Sequence, residues 1–184
     1  ATTARCSLRM VSTAGSAAAA ASPVASIHWG TVAMPSNYIV QKKVHAWTTE
    51  TDSSSSSHVD ISGSSFSFTP LFSNSVLHIR FDVQVNVYRE SASGQGMSLK
   101  LNVDGTNVAN APQYNYEFYM RNYSGGTHDL YVPYSKEYTL TVTNTNAKTI
   151  KLTGAVYGTG DNGKFRVNGG GYFQSTISLF EVKA

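Results

Sequence analysis

Val76-Leu-His-Ile-Arg-Phe-Asp-Val-Gln-Val-Asn-Val-Tyr88 is the stretch that decides the fold class. Leu77, Ile79, Phe81, Val83, Val85 and Val87 face one way, and His78, Arg80, Asp82, Gln84 and Asn86 face the other. Side chains alternate between the two faces of a strand, so strict alternation over this length reads as an antiparallel strand with one face on a core and the other toward water. Met97, Leu99, Leu101 and Val103 repeat the pattern and run into Asp104-Gly105, a hairpin signal, with Thr106-Asn107-Val108 beginning the return strand. Val59-Asp-Ile61, Phe66-Ser-Phe68, Tyr138 to Val142, Ile150-Lys-Leu152 and Ile177-Ser-Leu179 are shorter stretches of the same kind. Short alternating strands separated by turn residues predict an all-β protein, an antiparallel β-sandwich of jelly-roll-like form.

Composition agrees. Only 14% of the 184 residues are charged, against about 25% in an average soluble domain, while Ser and Thr supply roughly a quarter of the chain. Helices solvate their outer face with Lys, Glu, Arg and Gln, so the shortage of charge opposes a helical fold, and the 11 Tyr and 8 Phe favour strands. The length suits one core, with or without a tail. The net charge of +3 is spread thinly, with no basic cluster longer than Lys42-Lys43, so no nucleic-acid partner is expected. Cys6 is the only cysteine, which leaves no disulfide framework or Cys-based zinc site within one chain. No apolar run approaches the roughly 18 residues of a membrane span.

Residues 1–28 differ from the rest. Ala, Ser and Thr dominate, and Leu8, Met10, Val11 and Val24 are the larger apolar side chains. Such a segment cannot bury enough surface to offset its own ordering entropy. The expectation is an assembly arm that lies against another subunit or another protein, followed by a sandwich domain over 29–184. The Ala17 to Ala21 run also suits a helix docked on its own domain. Arg5 and Arg9 beside that run faintly resemble a signal peptide, but Arg9 interrupts the apolar part, and synthesis in the cytosol is the simpler reading. Ser53 to Ser57 reads as a solvent loop between strands, and no internal repeat is visible.

The chemical motifs are weak. Gly158-Thr-Gly-Asp-Asn-Gly-Lys164 matches two phosphate-binding patterns, yet both need a helix to follow. Phe165 stands where the magnesium-binding hydroxyl belongs, and Phe165-Arg-Val167 alternates as a strand does, so a hairpin loop explains the glycines. His28, His45, His58, His78 and His128 are scattered without metal-ligand spacing. No GxSxG elbow or acid pair stands out, and 11 carboxylates leave few general acids. No catalytic residue, cofactor or metal site is expected. Tyr114, Tyr116, Phe118, Tyr119 and Tyr123 form a dense aromatic segment interleaved with Asn115, Glu117, Arg121 and Asn122. Tyr114, Tyr116, Tyr119 and Tyr123 are candidates for stacking on a glycan or for a subunit contact; a core face is the plainer reading.

Ser64-Ser-Phe-Ser-Phe-Thr-Pro-Leu-Phe-Ser-Asn-Ser-Val-Leu-His-Ile-Arg-Phe81 resembles a segment of tailed-bacteriophage virion proteins in which a polar loop leads into a long strand. Leu99 to Val108 resembles their central hairpin, and Ser175-Thr-Ile-Ser-Leu-Phe-Glu-Val182 their C-terminal strand. The resemblance covers about residues 30–184 and departs at the N-terminus, which has no coiled-coil shaft. It implies a β-sandwich on the exterior of a phage particle, usually a homotrimer, with other capsid or tail proteins as partners. The C1q and tumour-necrosis-factor sandwiches have a similar strand style. The expected function is a non-enzymatic, trimeric capsid decoration or cement protein held by its N-terminal arm. The alternative is a tail-fibre tip that recognises host surface glycans.

Overall fold

The computed structural model describes residues 37–90, 94–108, 117–121 and 126–184. The arm, with Leu8, Met10, Val11 and Val24, lies outside the described residues, as do Tyr114, Tyr116, Tyr123 and His28.

The alternating stretch forms β5 (Val76–Arg89), the spine of the first sheet. All 14 of its residues pair with β9 (His128–Thr141) along one side. Its other side is shared by two shorter strands in line, β11 (Lys164–Val167) against Val85 to Tyr88 and β12 (Ser175–Lys183) against Val76 to Asp82. Beyond these lie two more in line, β2 (Thr51–Ser53) on β11 and β1 (Tyr38–Trp47) on β12. The row formed by β1 and β2 and the row formed by β11 and β12 are therefore interrupted at the same level.

The second sheet is built the same way. Its inner strands are β6 (Gln95–Val103) and β10 (Lys148–Val156). β10 is flanked by β3 (Val59–Asp60) and β4 (Phe66–Phe68), and β6 by β7 (Thr106–Asn107) and β8 (Phe118–Met120). Counted as eight rows in chain order, the sheets run first-eighth-third-sixth and second-seventh-fourth-fifth. Every pairing is antiparallel, and this order of rows in two facing sheets is a jelly roll. Asp104, at φ 51°, and Gly105, at φ 86°, make the β6–β7 hairpin turn as their sequence requires.

The core lies between the sheets. Leu77, Ile79, Phe81, Val85, Val87, Phe165, Ile177 and Leu179 meet Met97, Leu99, Leu101, Ile150 and Leu152, all almost wholly buried. The inward set on β5 is the one its alternation specifies. Packing leaves no slack at Gly154: a Cβ there would stand 2.8 Å from the Phe165 ring and 3.1 Å from Ile61. β9 closes one flank of the sandwich differently. Its inward Lys136 forms an ion pair with Glu117, just before β8, and Tyr134 Oη donates to the same carboxylate at 2.8 Å. Burial, and then the Glu117 charge, push the Tyr134 phenol well above its ordinary value, so it remains a donor at physiological pH.

Two sequence details come out differently. Ser53 ends β2, and Ser55, inside the serine run, accepts a hydrogen bond from Val156 N at 2.8 Å, so the run is tied to β10. Tyr38–Trp47 and the first ten residues of β9 are strands that the alternation did not single out.

Candidate functional site

The loop-to-strand stretch after β4 and the C-terminal strand β12 meet at Glu181. This residue occupies an inward position on β12, where a carboxylate would be costly without partners. Pro70 turns the chain after β4, and the turn aims the backbone N–H groups of Leu71 (2.9 Å) and Phe72 (3.0 Å) at the carboxylate. Ser75 Oγ donates to it at 2.6 Å, and so does Gln41 Nε2 from β1. Burial alone would push the Glu181 carboxyl up, but the hydrogen bonds from Ser75, the two amides and Gln41 outweigh it and hold the pKa below the ordinary value. This cluster fastens the loop after β4 to the end of the sandwich, and all four donors are used in place.

The glycine-rich stretch is a loop joining β10 to β11. Asp161 and Asn162 sit at its tip with φ of 51° and 54°, and Lys164 begins a strand, not a helix. Gln95 fills the loop from inside: its Nε2 donates to Gly158 O at 2.9 Å and its Oε1 accepts from Gly158 N at 3.1 Å. Beside it, a cleft of about 550 Å³ is lined by Asp52, Tyr88, Glu90, Asn162, Lys164 and Arg166 among others. Its charges are matched internally. Asp52 holds Arg166 at 2.8 Å and Lys164 at 3.2 Å, and Glu90 accepts from Tyr88 and Asn162, each at 2.6 Å. Burial would raise the Asp52 pKa, but the Arg166 and Lys164 partners prevail and lower it. Both carboxylates of the cleft are thus committed to internal hydrogen bonds and ion pairs.

The histidines have individual seats. His45 stacks between Trp47 and Phe66, at 5.8 and 5.0 Å, with its Nε2 at 2.7 Å from Gly63 O. His58 bridges the outer face of the second sheet, Nδ1 to Thr153 Oγ1 at 3.1 Å and Nε2 to Ser98 Oγ at 3.3 Å. Ser98 is fully buried, and the group behind His58 is a hydroxyl where a nucleophilic triad would have a carboxylate. Among the described residues, no three His, Cys, Asp or Glu side chains gather as a metal site would require.

Tyr119 is the one member of the candidate tyrosine set among the described residues. It is partly exposed on β8, and its ring meets Tyr157 edge-on at 5.5 Å. Its hydroxyl lies over Gly94, where a Cβ would come within 1.8 Å. The structure also shows a second aromatic site that sequence reading missed, on the outer face of the first sheet, where Tyr131 and Pro133 of β9 face Phe173 across Gln84. Gly169-Gly-Gly-Tyr-Phe-Gln174, three glycines followed by two aromatics and an amide, was its available signal.

No protein-family model matches the chain, and no curated protein matches it. Among solved structures it is similar to a chain of infectious bursal disease virus, Gx strain, at TM-score 0.33 and 16% identity over 79% of this chain and 39% of that one. It is also similar to the VP2 subviral particle of infectious bursal disease virus, at TM-score 0.26 and 16% identity over 79% of this chain and 38% of that one. The chain spans about two fifths of the length of these structures' chains. The jelly-roll assignment rests on the strand pairing itself.

Proposed function

We propose that the chain is a non-enzymatic structural protein on the exterior of a tailed-phage particle, a trimeric decoration or cement protein anchored by its N-terminal arm. The observation that carries this reading is the Glu181 cluster. The loop-to-strand segment after Pro70 and the C-terminal strand, each of which resembles tailed-phage virion proteins, form one hydrogen-bonded unit within a jelly roll. Low charge supports it too, since a surface of Ser, Thr, Asn and Gln puts little long-range repulsion between neighbouring copies. The internally neutralised cleft and the buried Ser98 favour a structural role over catalysis.

In this mechanism, three arms on one trimer each make a weak contact with the capsid, and the linked contacts bind as a multivalent unit. Deleting residues 1–28 is expected to leave a folded trimer that no longer binds purified particles in a co-sedimentation assay. Full occupancy by the truncated protein would refute the arm mechanism. The tail-fibre alternative draws on the exposed Tyr119 and Tyr157 pair, and imaging particles labelled at the C-terminus of this protein separates head from tail.

A further inference from the structure

The interruption between β11 and β12 creates a feature that the structural role does not use. Asn168 and the Gly169–Gly171 turn swing the chain off the sheet, and Phe173 and Gln174 come to lie over β5 beside β9. The result is an open groove of about 460 Å³, within the roughly 300–1,000 Å³ of small-ligand sites. Tyr131 and Phe173, each 43% exposed, give it aromatic surface. The Tyr131 ring is seated against Gly169, where an added Cβ would come within 3.2 Å of it, so its place depends on the glycine turn.

The polar lining mixes amides and hydroxyls with one carboxylate, Asp82, and has no cation. Gln84 Oε1 is buried and receives no hydrogen bond. Asp82 is held by Arg80, with nitrogen-to-oxygen distances of 2.8 to 3.1 Å, and by Ser135 Oγ, so the nearby cation is already committed. An anion would meet this carboxylate without a cation in the lining. A purely apolar ligand would cover the Asp82 carboxylate, 41% exposed, without replacing its hydrogen bonds to water, at a desolvation cost. A neutral pyranose fits both halves: its C–H face suits aromatic rings, and its hydroxyls are donors for an amide oxygen and a carboxylate.

We propose that this groove is a saccharide-binding site, taking one neutral pyranose unit with Tyr131 and Phe173 as the stacking surface and Gln84 and Asp82 as hydrogen-bond acceptors. The site goes beyond the decoration role and stands whether or not that role is correct. The test is titration of the 184-residue chain with glucose, galactose, mannose and N-acetylglucosamine, followed by backbone amide shifts in NMR. At least one sugar is expected to bind saturably in the millimolar range, with shifts centred on residues 82–84, 131–135 and 173–174. Tyr131→Ala and Phe173→Ala should each weaken that binding roughly tenfold. Gln84→Leu should weaken it as well, while Tyr157→Ala on the other sheet should not. Dispersed spectra of each variant establish that it is folded. Absence of shifts with all four sugars overturns the proposal. It is equally overturned if Tyr131→Ala and Phe173→Ala dissociate an oligomer without changing sugar affinity, because the groove would then be closed between copies of the chain.

Discussion

At Asn168 the chain is left-handed, with φ 56°, and the side chain is fully buried in the gap between β11 and β12. Its Nδ2 donates to Trp47 O at 3.2 Å, its Oδ1 accepts from Ser175 Oγ at 2.5 Å, and its backbone N–H reaches Gln84 O at 3.2 Å. The side-chain amide therefore ties β1 to β12 where two rows break, and the backbone N–H of the same residue adds β5. Asn tolerates this backbone region better than most residues. Asn168→Ala is expected to cost about 2–3 kcal/mol in urea unfolding, through lost hydrogen bonds and a strained backbone. Glu181 sets a different condition. Its folded pKa lies below the ordinary 4.5, so the unfolded chain takes up the proton first as pH falls. The stability it contributes is complete above that ordinary value and drains away below it, toward the folded pKa. Glu181→Gln should cost about 3 kcal/mol at neutral pH. Wild-type and variant stabilities should converge in acid, and unfolding curves at neutral pH and well below pH 4.5 test this.

Among elements, legibility follows how differently the two faces of a strand are treated. β5 and β12 bury one face in the core, so alternation marks them, and the Asp104-Gly105 turn marks the end of β6. β9 runs along the flank of the first sheet. Its inward set includes His128 and Lys136, its outward set includes Tyr131 and Pro133, and the two faces look alike in sequence. Pro133 is tolerated because, among the described residues, β9 is paired with β5 alone. Tyr38–Trp47 hides for a related reason, being largely exposed and bulged between Ile39 and Gln41. The groove was illegible because Gln84 and Phe173 are 89 residues apart, brought together by the break in a strand row. A glycine inside a strand ordinarily weakens it, yet at Gly154 the Phe165 ring fills the place of a side chain. Gly154→Ala is therefore expected to destabilise by about 1–3 kcal/mol despite the better strand propensity of Ala, through overpacking, as a lower thermal midpoint.

For the whole molecule, the jelly roll brings the first and last described strands side by side. Asn37 N donates to Lys183 O at 2.7 Å, and β1 continues down β12 through nine paired positions to Trp47 and Ser175. Among the described residues, β1 has no neighbour on its other side. A pull applied at Asn37 itself is therefore carried into the described strands by this ladder. Pulled along the strand axis, the nine positions share the load and must shear together. Pulled sideways, they open one after another from Tyr38, and far less force is needed. The fold thus gives a load at Asn37 a strong direction and a weak one.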